Sequence, residues 1–283
     1  MITRICISLN NTCNLNCSYC HFHTEEKKAV TKEQDMDAVR ILDLYRKYIH
    51  EHRIGKFTIG YVGNGEPLLS WDELVRCVES TKDLEGEGIL NAYTVTNGIL
   101  LSEERASFLA AHRMKVGISV DGPEWLHNKL RCNSFSRSMK GAENYRSATG
   151  NWPRFNATVG REAFDHMDEV IRFFESFGTK VTFSRMIGPL GITLEEYRQF
   201  LEKASGFMPV HTGGYDCTMY GGLCGAGMDN FYYANGKIWI CGNCIDLDSA
   251  GDCYTAPADI SLSSVEAFDR RRCFHEMVKG GAL

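Results

Sequence analysis

Ser8-Leu9-Asn10-Asn11-Thr12-Cys13-Asn14-Leu15-Asn16-Cys17-Ser18-Tyr19-Cys20 sets three cysteines in C-x3-C-x2-C spacing behind a short strand-like segment, residues 1–9. A loop this short can wrap three thiolates around three irons of a [4Fe-4S] cube. Four protein ligands would saturate such a cube, so one iron is left open for another molecule. The other reading of the run is a zinc knuckle completed by His21 or His23. Position decides between them: the run follows the first strand of a repeated strand–helix alternation, where an α/β protein keeps its chemistry.

That alternation extends along most of the chain. Runs rich in Val, Ile, Thr and Phe near residues 2–9, 56–62, 90–96, 115–120, 154–159 and 179–186 read as strands. Helical periodicity follows over 32–52, 71–84, 102–112, 164–177 and 193–205, with a short helix over 136–146. Thr31, Ser70, Ser102 and Thr193 are the expected N-caps, and capping boxes are expected at Thr31 and Ser102. Strands joined by crossover helices imply a parallel sheet covered on its outer face. After about residue 206 the text turns to Gly- and Cys-rich loops. One hairpin stands out there, Phe231 to Ile240, turning at Asn235-Gly236. Ser263 to Val278 reads as a terminal helix.

Composition narrows the partners. The chain has 283 residues and a formal charge of -5, so it carries no basic footprint for nucleic acid or an anionic membrane. No apolar run reaches membrane-spanning length, and residues 1–9 lack the layout of a secretory signal, so a cytoplasmic location is expected. In a reducing compartment twelve cysteines argue for metal rather than disulfides. Three fall in 13–20, six lie between 217 and 273, and Cys6, Cys77 and Cys132 stand apart as packed thiols; two metal centres are expected.

The cysteine run, with Tyr19 before its third Cys, resembles the signature of the radical S-adenosylmethionine (radical SAM) superfamily. The resemblance implies a partial (β/α)6 barrel and a catalytic [4Fe-4S] cluster on Cys13, Cys17 and Cys20. It implies that S-adenosylmethionine chelates the open iron and is cleaved to a 5'-deoxyadenosyl radical. Gly63-Asn64-Gly65-Glu66-Pro67 resembles the family's Gly-Gly-Glu-Pro element, with Asn64 in place of a glycine; Gly63, Gly65 and Glu66 would then receive the methionine ammonium. Asn97, Ser119 and Asp121 end later strands, where the family places polar contacts to the cofactor. His127-Asn128-Lys129-Leu130-Arg131 is similar to its His-Asp-x-x-Arg, and Arg131 would meet the cofactor carboxylate. Each of these stretches also reads as an ordinary turn or surface arginine.

The later cysteines resemble the SPASM and shortened Twitch extensions, which carry auxiliary [4Fe-4S] clusters; Cys224-x11-Gly236-x4-Cys241 fits their opening motif. Cys217, Cys224, Cys241 and Cys244 form the expected ligand set of one auxiliary cluster, and a zinc ribbon is the alternative. Three roles stay open for Cys253: fourth ligand, inert thiol, or the catalytic hydrogen donor of an epimerase. The expected division is a radical SAM core, 1–205, and an auxiliary iron-sulfur extension, 206–283. The expected activity is hydrogen abstraction from an unactivated C–H bond. It would epimerise or dehydrogenate a small sugar-like molecule such as an aminoglycoside, or else epimerise or cross-link a ribosomally made peptide. A non-catalytic iron-sulfur or zinc module is a third reading. An external one-electron donor of flavodoxin or ferredoxin type is the implied redox partner.

Overall fold

A computed structural model of the protein describes residues 1–20, 36–186, 188–210, 225–242 and 249–260. The expected terminal helix, Thr31, and Cys217, Cys224 and Cys244 lie outside the described residues. All six predicted strands form: β1 (Arg4–Ile7), β2 (Phe57–Tyr61), β3 (Leu90–Thr96), β4 (Lys115–Ser119), β5 (Arg154–Val159) and β6 (Val181–Arg185). They pair in parallel in the order β6-β5-β4-β3-β2-β1. This is the parallel α/β sheet that the alternation implied, arranged as the partial barrel that the resemblance implied.

Three further strands extend it beyond β1: β7 (Asn230–Ala234), β8 (Lys237–Trp239) and β9 (Gly251–Asp252). β7 lies parallel to β1, with Arg4 opposite Asn230 and Ile7 opposite Tyr233. β7 and β8 form the expected antiparallel hairpin. Asn235 and Gly236 adopt φ of 54° and 71°, the paired positive values that a two-residue hairpin turn needs. Among the described residues, the first strand after residue 206 is thus part of the same sheet as the barrel strands.

Helices cover the outer face: α1 (Ala38–Glu51), α2 (Trp71–Ser80), α3 (Lys82–Gly86), α4 (Glu103–Ala111), α5 (Glu124–Leu130), α6 (Phe135–Thr149), α7 (Arg161–Asp165), α8 (Met167–Glu175) and α9 (Leu194–Ser205). In α1 the buried residues Ile41, Leu42, Tyr45, Tyr48 and Ile49 recur at helical spacing and face the sheet. Phe174 of α8 packs between Phe155 of β5 and Phe183 of β6, with ring centroids at 5.8 and 5.5 Å. Each fully buried side chain of this size contributes roughly 1.5–3 kcal/mol by leaving water.

The caps depart from expectation in instructive ways. Thr193 makes the reciprocal capping box with Glu196. Ser102 caps α4 one-sidedly, because Arg105 stands where a Glu or Gln would have to reach back. Ser70 makes no cap bond to α2, since its hydroxyl accepts from Asn10 Nδ2 at 2.8 Å. The helix predicted over 164–177 is broken at His166, and that over 71–84 at Thr81. α5 escaped the periodicity reading, and α6 runs longer than the 136–146 expected.

Candidate active site

The cysteine loop is fastened to the carboxyl ends of its neighbouring strands. Asn10 accepts from the Thr12 amide at 2.9 Å, and its Nδ2 donates to the Glu66 carbonyl at 3.0 Å. The Glu66 amide donates back to the Thr12 carbonyl at 2.8 Å. This contact explains Gly65: a Cβ there would stand 2.1 Å from Asn10 Oδ1 and 2.2 Å from Thr12 O. Asn64 fills its non-glycine place usefully, donating to Asn11 Oδ1 at 3.0 Å and accepting from Tyr232 of β7 at 3.2 Å. Asn97 donates to Asn14 Oδ1 at 2.7 Å, and the Ser18 amide donates to the Leu130 carbonyl at 2.9 Å. The ends of β2, β3 and α5 therefore hold one loop.

Cys13, Cys17 and Cys20 are half-buried free thiols that line one cavity of about 590 Å³. Gly63, Gly65, Glu66, Asn97, Ser119 and Arg131 line it too. Burial raises the Cys13 thiol pKa and pushes that of Cys17 up to about 12, with the neighbouring cysteines adding to both. A positive centre bound by these thiols would offset the burial and favour their thiolate form. Among the described residues no group of His, Cys, Asp and Glu side chains converges as ligands of a single metal ion would. Three soft thiolate donors on one loop suit three irons of a cube, each thiolate binding its own iron.

Glu66 and Asp121 are both buried, and both have protein partners. The Glu66 carboxylate accepts from Thr96 Oγ1 at 2.5 Å, the Asn97 amide at 2.8 Å and the Leu68 amide at 3.1 Å. Burial raises its pKa and these bonds oppose the rise. Glu66 thus ties the end of β2 to the end of β3, beside the cavity. Asp121 accepts from Tyr19 Oη at 2.7 Å, Arg131 Nε at 2.7 Å and the Thr158 amide at 2.9 Å. It is a bracket behind the cavity rather than part of its lining. Burial alone would lower the Arg131 pKa, but Asp121, Tyr19 and Cys17 hold it above the usual guanidinium value.

A loop of three clustered cysteines over the carboxyl ends of a parallel partial barrel is the arrangement that the first motif implied. Comparison with known proteins decides the family. The model of the Radical SAM superfamily matches residues 7–174, more than half of the chain.

The chain belongs to the radical SAM superfamily.

Its cofactors are accordingly a [4Fe-4S] cluster and S-adenosylmethionine. Among curated relatives, the cysteine-type anaerobic sulfatase-maturating enzyme of Clostridium perfringens is 27% identical over 188 residues, 63% of this chain and 50% of that protein. The radical SAM cyclopropyl synthase TigE of Paramaledivibacter caminithermalis is 24% identical over 62% of this chain and 39% of its own length. The chain spans about half the length, or less, of these relatives. A solved structure described as native anSMEcpe with bound AdoMet and Cp18Cys peptide superposes with a TM-score of 0.72 at 18% identity, covering 99% of this chain and 83% of that one. This last likeness supports the radical SAM fold.

Within the radical SAM barrel the remaining expected residues separate. Cys241 is half-buried at the end of the hairpin, electrostatically coupled to Cys6 and Tyr232 on the inner face. Cys253 is 1% exposed and packs in the main apolar core near Tyr233, whose hydroxyl bonds that of Tyr45 on α1 at 2.8 Å. Burial pushes its thiol pKa up to about 11. It does not line the cavity. Sequence reasoning missed the inward side chains of the barrel, among them Lys115, Arg154, Asn156 and Thr158. Their signal was present in the period of two along β4 and β5.

Proposed function

We propose that this radical SAM protein is a maturase that oxidises a peptide or protein side chain, by dehydrogenation or cross-linking. When bound on Cys13, Cys17 and Cys20, the cluster supplies the electron that cleaves S-adenosylmethionine to a 5'-deoxyadenosyl radical. The chain's own residues hold and orient. Gly63 and Gly65 let the end of β2 close against Ser8, Asn10 and Thr12 of the cysteine loop, and Glu66 would set a carboxylate beside the cofactor's ammonium while fixing the end of β3. Asn97 and Ser119 supply polar contacts from neighbouring strand ends, and Arg131, steadied by Asp121, faces the cofactor carboxylate. Residues 1–205 form the core in this reading. Residues 206–283 form an extension whose Cys217, Cys224, Cys241 and Cys244 hold one auxiliary [4Fe-4S] cluster. A flavodoxin- or ferredoxin-type protein delivers the electron.

The observation that carries the choice of substrate is the charge of the cavity. Arg4, Lys115 and Arg154 line it beside Arg131, which is paired with Asp121, and among the described residues Glu66 is the one carboxylate in the lining. A polycationic aminoglycoside would meet repulsion there, whereas a peptide with acidic groups would not. The related proteins named for maturing sulfatases and making cyclopropyl groups point the same way. Oxidation is favoured over epimerisation because, among the described residues, the thiols that line the cavity are those of the cysteine loop. Cys253, the donor expected for an epimerase, lies in the core instead.

The test is substrate-triggered formation of 5'-deoxyadenosine by anaerobically reconstituted, reduced protein. An acidic peptide library should raise it and yield peptides lighter by two hydrogens. Stimulation by neomycin, with no response to peptides, would return the substrate to the sugar class.

A further inference from the structure

Lys115 and Arg154 stand at the first positions of adjacent strands β4 and β5, at the amino ends remote from the cysteine loop. Arg154 is the register partner of Gly117, two residues beyond Lys115, so the two cations are diagonal neighbours on the inward face. Both line the same cavity as the cysteines. Gly117 between them has no side chain, and a Cβ there would meet Asn156 Oδ1 at 2.3 Å, so the Asn156 amide packs over it and the wall is polar at this level. Arg4 of β1 lines the cavity too, at the level of Thr58 and Asn91.

Both cations are exposed, and neither has the carboxylate partner that several other cations of the protein have. Arg46, Lys129, Arg131 and Arg161 each pair with a carboxylate. Lys115 instead donates to the neutral Asn91 Oδ1 at 2.5 Å, and burial and Arg154 together lower its pKa. No carboxylate among the described residues lies within ion-pair distance of either side chain. Like charges held side by side disfavour the fold, and in a chain of net charge -5 there is no shortage of acid to neutralise them.

We propose that Lys115 and Arg154 form an anion subsite at the far end of the cavity, which grips a carboxylate or phosphate group of the substrate. Thr158, whose amide is bound by Asp121 under the cysteine loop, lies four residues up β5 from Arg154. Strand rise makes the two ends of the cavity about 13 Å apart. An extended peptide covers that span with about four residues. Resting on the peptide reading, the subsite selects substrates with an acidic side chain or chain terminus about four residues from the modified position.

The subsite is tested by isothermal titration of the reconstituted full chain with tetraglutamate, tetraserine and inorganic pyrophosphate at fixed ionic strength. Tetraglutamate should bind, and K115Q/R154Q should weaken it at least about tenfold, as removal of two charge-assisted contacts implies. The charge-conserving K115R/R154K should retain affinity within about threefold, which separates lost charge from a damaged fold. Tetraserine should not distinguish the proteins. Binding of pyrophosphate but not tetraglutamate would support the subsite and overturn the peptide reading in favour of a phosphorylated small substrate. Equal affinity of wild type and K115Q/R154Q for both anions, or no binding of either, would overturn the subsite. Wild-type 5'-deoxyadenosine formation, measured on the same preparation, reports independently on the radical chemistry.

Discussion

The two ends of one cavity treat their polar groups in opposite ways. At the cysteine-loop end nearly every buried polar atom has a protein partner: Glu66 accepts from three donors, and Asp121 binds Tyr19, Arg131 and Thr158. At the far end Lys115 and Arg154 have no carboxylate within ion-pair distance among the described residues, and Lys115 bonds a neutral amide. The first pattern builds a rigid seat, because a satisfied buried network has one geometry and resists rearrangement. The second leaves charge available to something outside the chain. On the proposed reading, the rigid end aligns the chemistry and the unmatched charge selects the substrate.

The seat breaks most severely at its bracket. Asp121→Ala strands Arg131 as a buried, unpaired cation, and should lower unfolding free energy by about 3–5 kcal/mol in urea titration. A loss below about 1 kcal/mol would show that water reaches Arg131 and that the bracket is no network. His127 gives the same region a pH signature. It is fully buried, its Nε2 bonds Ser134 Oγ at 2.9 Å and its Nδ1 has no partner, and burial pulls its pKa down to about 4. The unfolded chain, with an ordinary imidazole near 6.5, takes up that proton first. Stability from this group is therefore complete above about pH 6.5 and falls by about 3 kcal/mol as pH drops through about 4. His127→Leu should flatten that part of the stability curve; an unchanged curve would assign it to other groups.

Smaller effects probe the contacts between loop and strand. Gly65→Ala drives a methyl into Asn10 and Thr12, and should cost about 1–3 kcal/mol by overpacking while weakening iron retention. Full iron with unaltered stability would mean that the loop moves aside freely. Cys253→Ala should cost about 1 kcal/mol for a small core cavity and leave iron content unchanged. Iron loss in that variant would instead make Cys253 an auxiliary ligand.

What could be read from sequence follows from the range of the interactions involved. The six barrel strands and the Asn235-Gly236 hairpin carry short-range signals, alternation and a turn that needs positive φ, and both formed within a residue or two of expectation. α5 was hidden because seven residues after Asp121-Gly122-Pro123 look like the continuation of a turn. The cysteine cradle was legible as spacing. Its fastening was not, since Tyr19, Asp121 and Arg131 meet only when β4 and α5 come under the loop. The same holds for Glu66, named for a cofactor contact yet also joining two strand ends. Lys115 and Arg154 read as strand boundaries, because a period of two tells which residues share a face but not that the sheet curls to make that face an interior.

The central claim is that Cys13, Cys17 and Cys20 seat the cluster that starts the chemistry. It is tested most directly by measuring 5'-deoxyadenosine from S-adenosylmethionine with anaerobically reconstituted, dithionite-reduced wild type and the C13A/C17A/C20A variant. The wild type should release 5'-deoxyadenosine, and the variant should release none while losing roughly half of its iron to the missing cluster. Equal release by the two proteins would contradict the account.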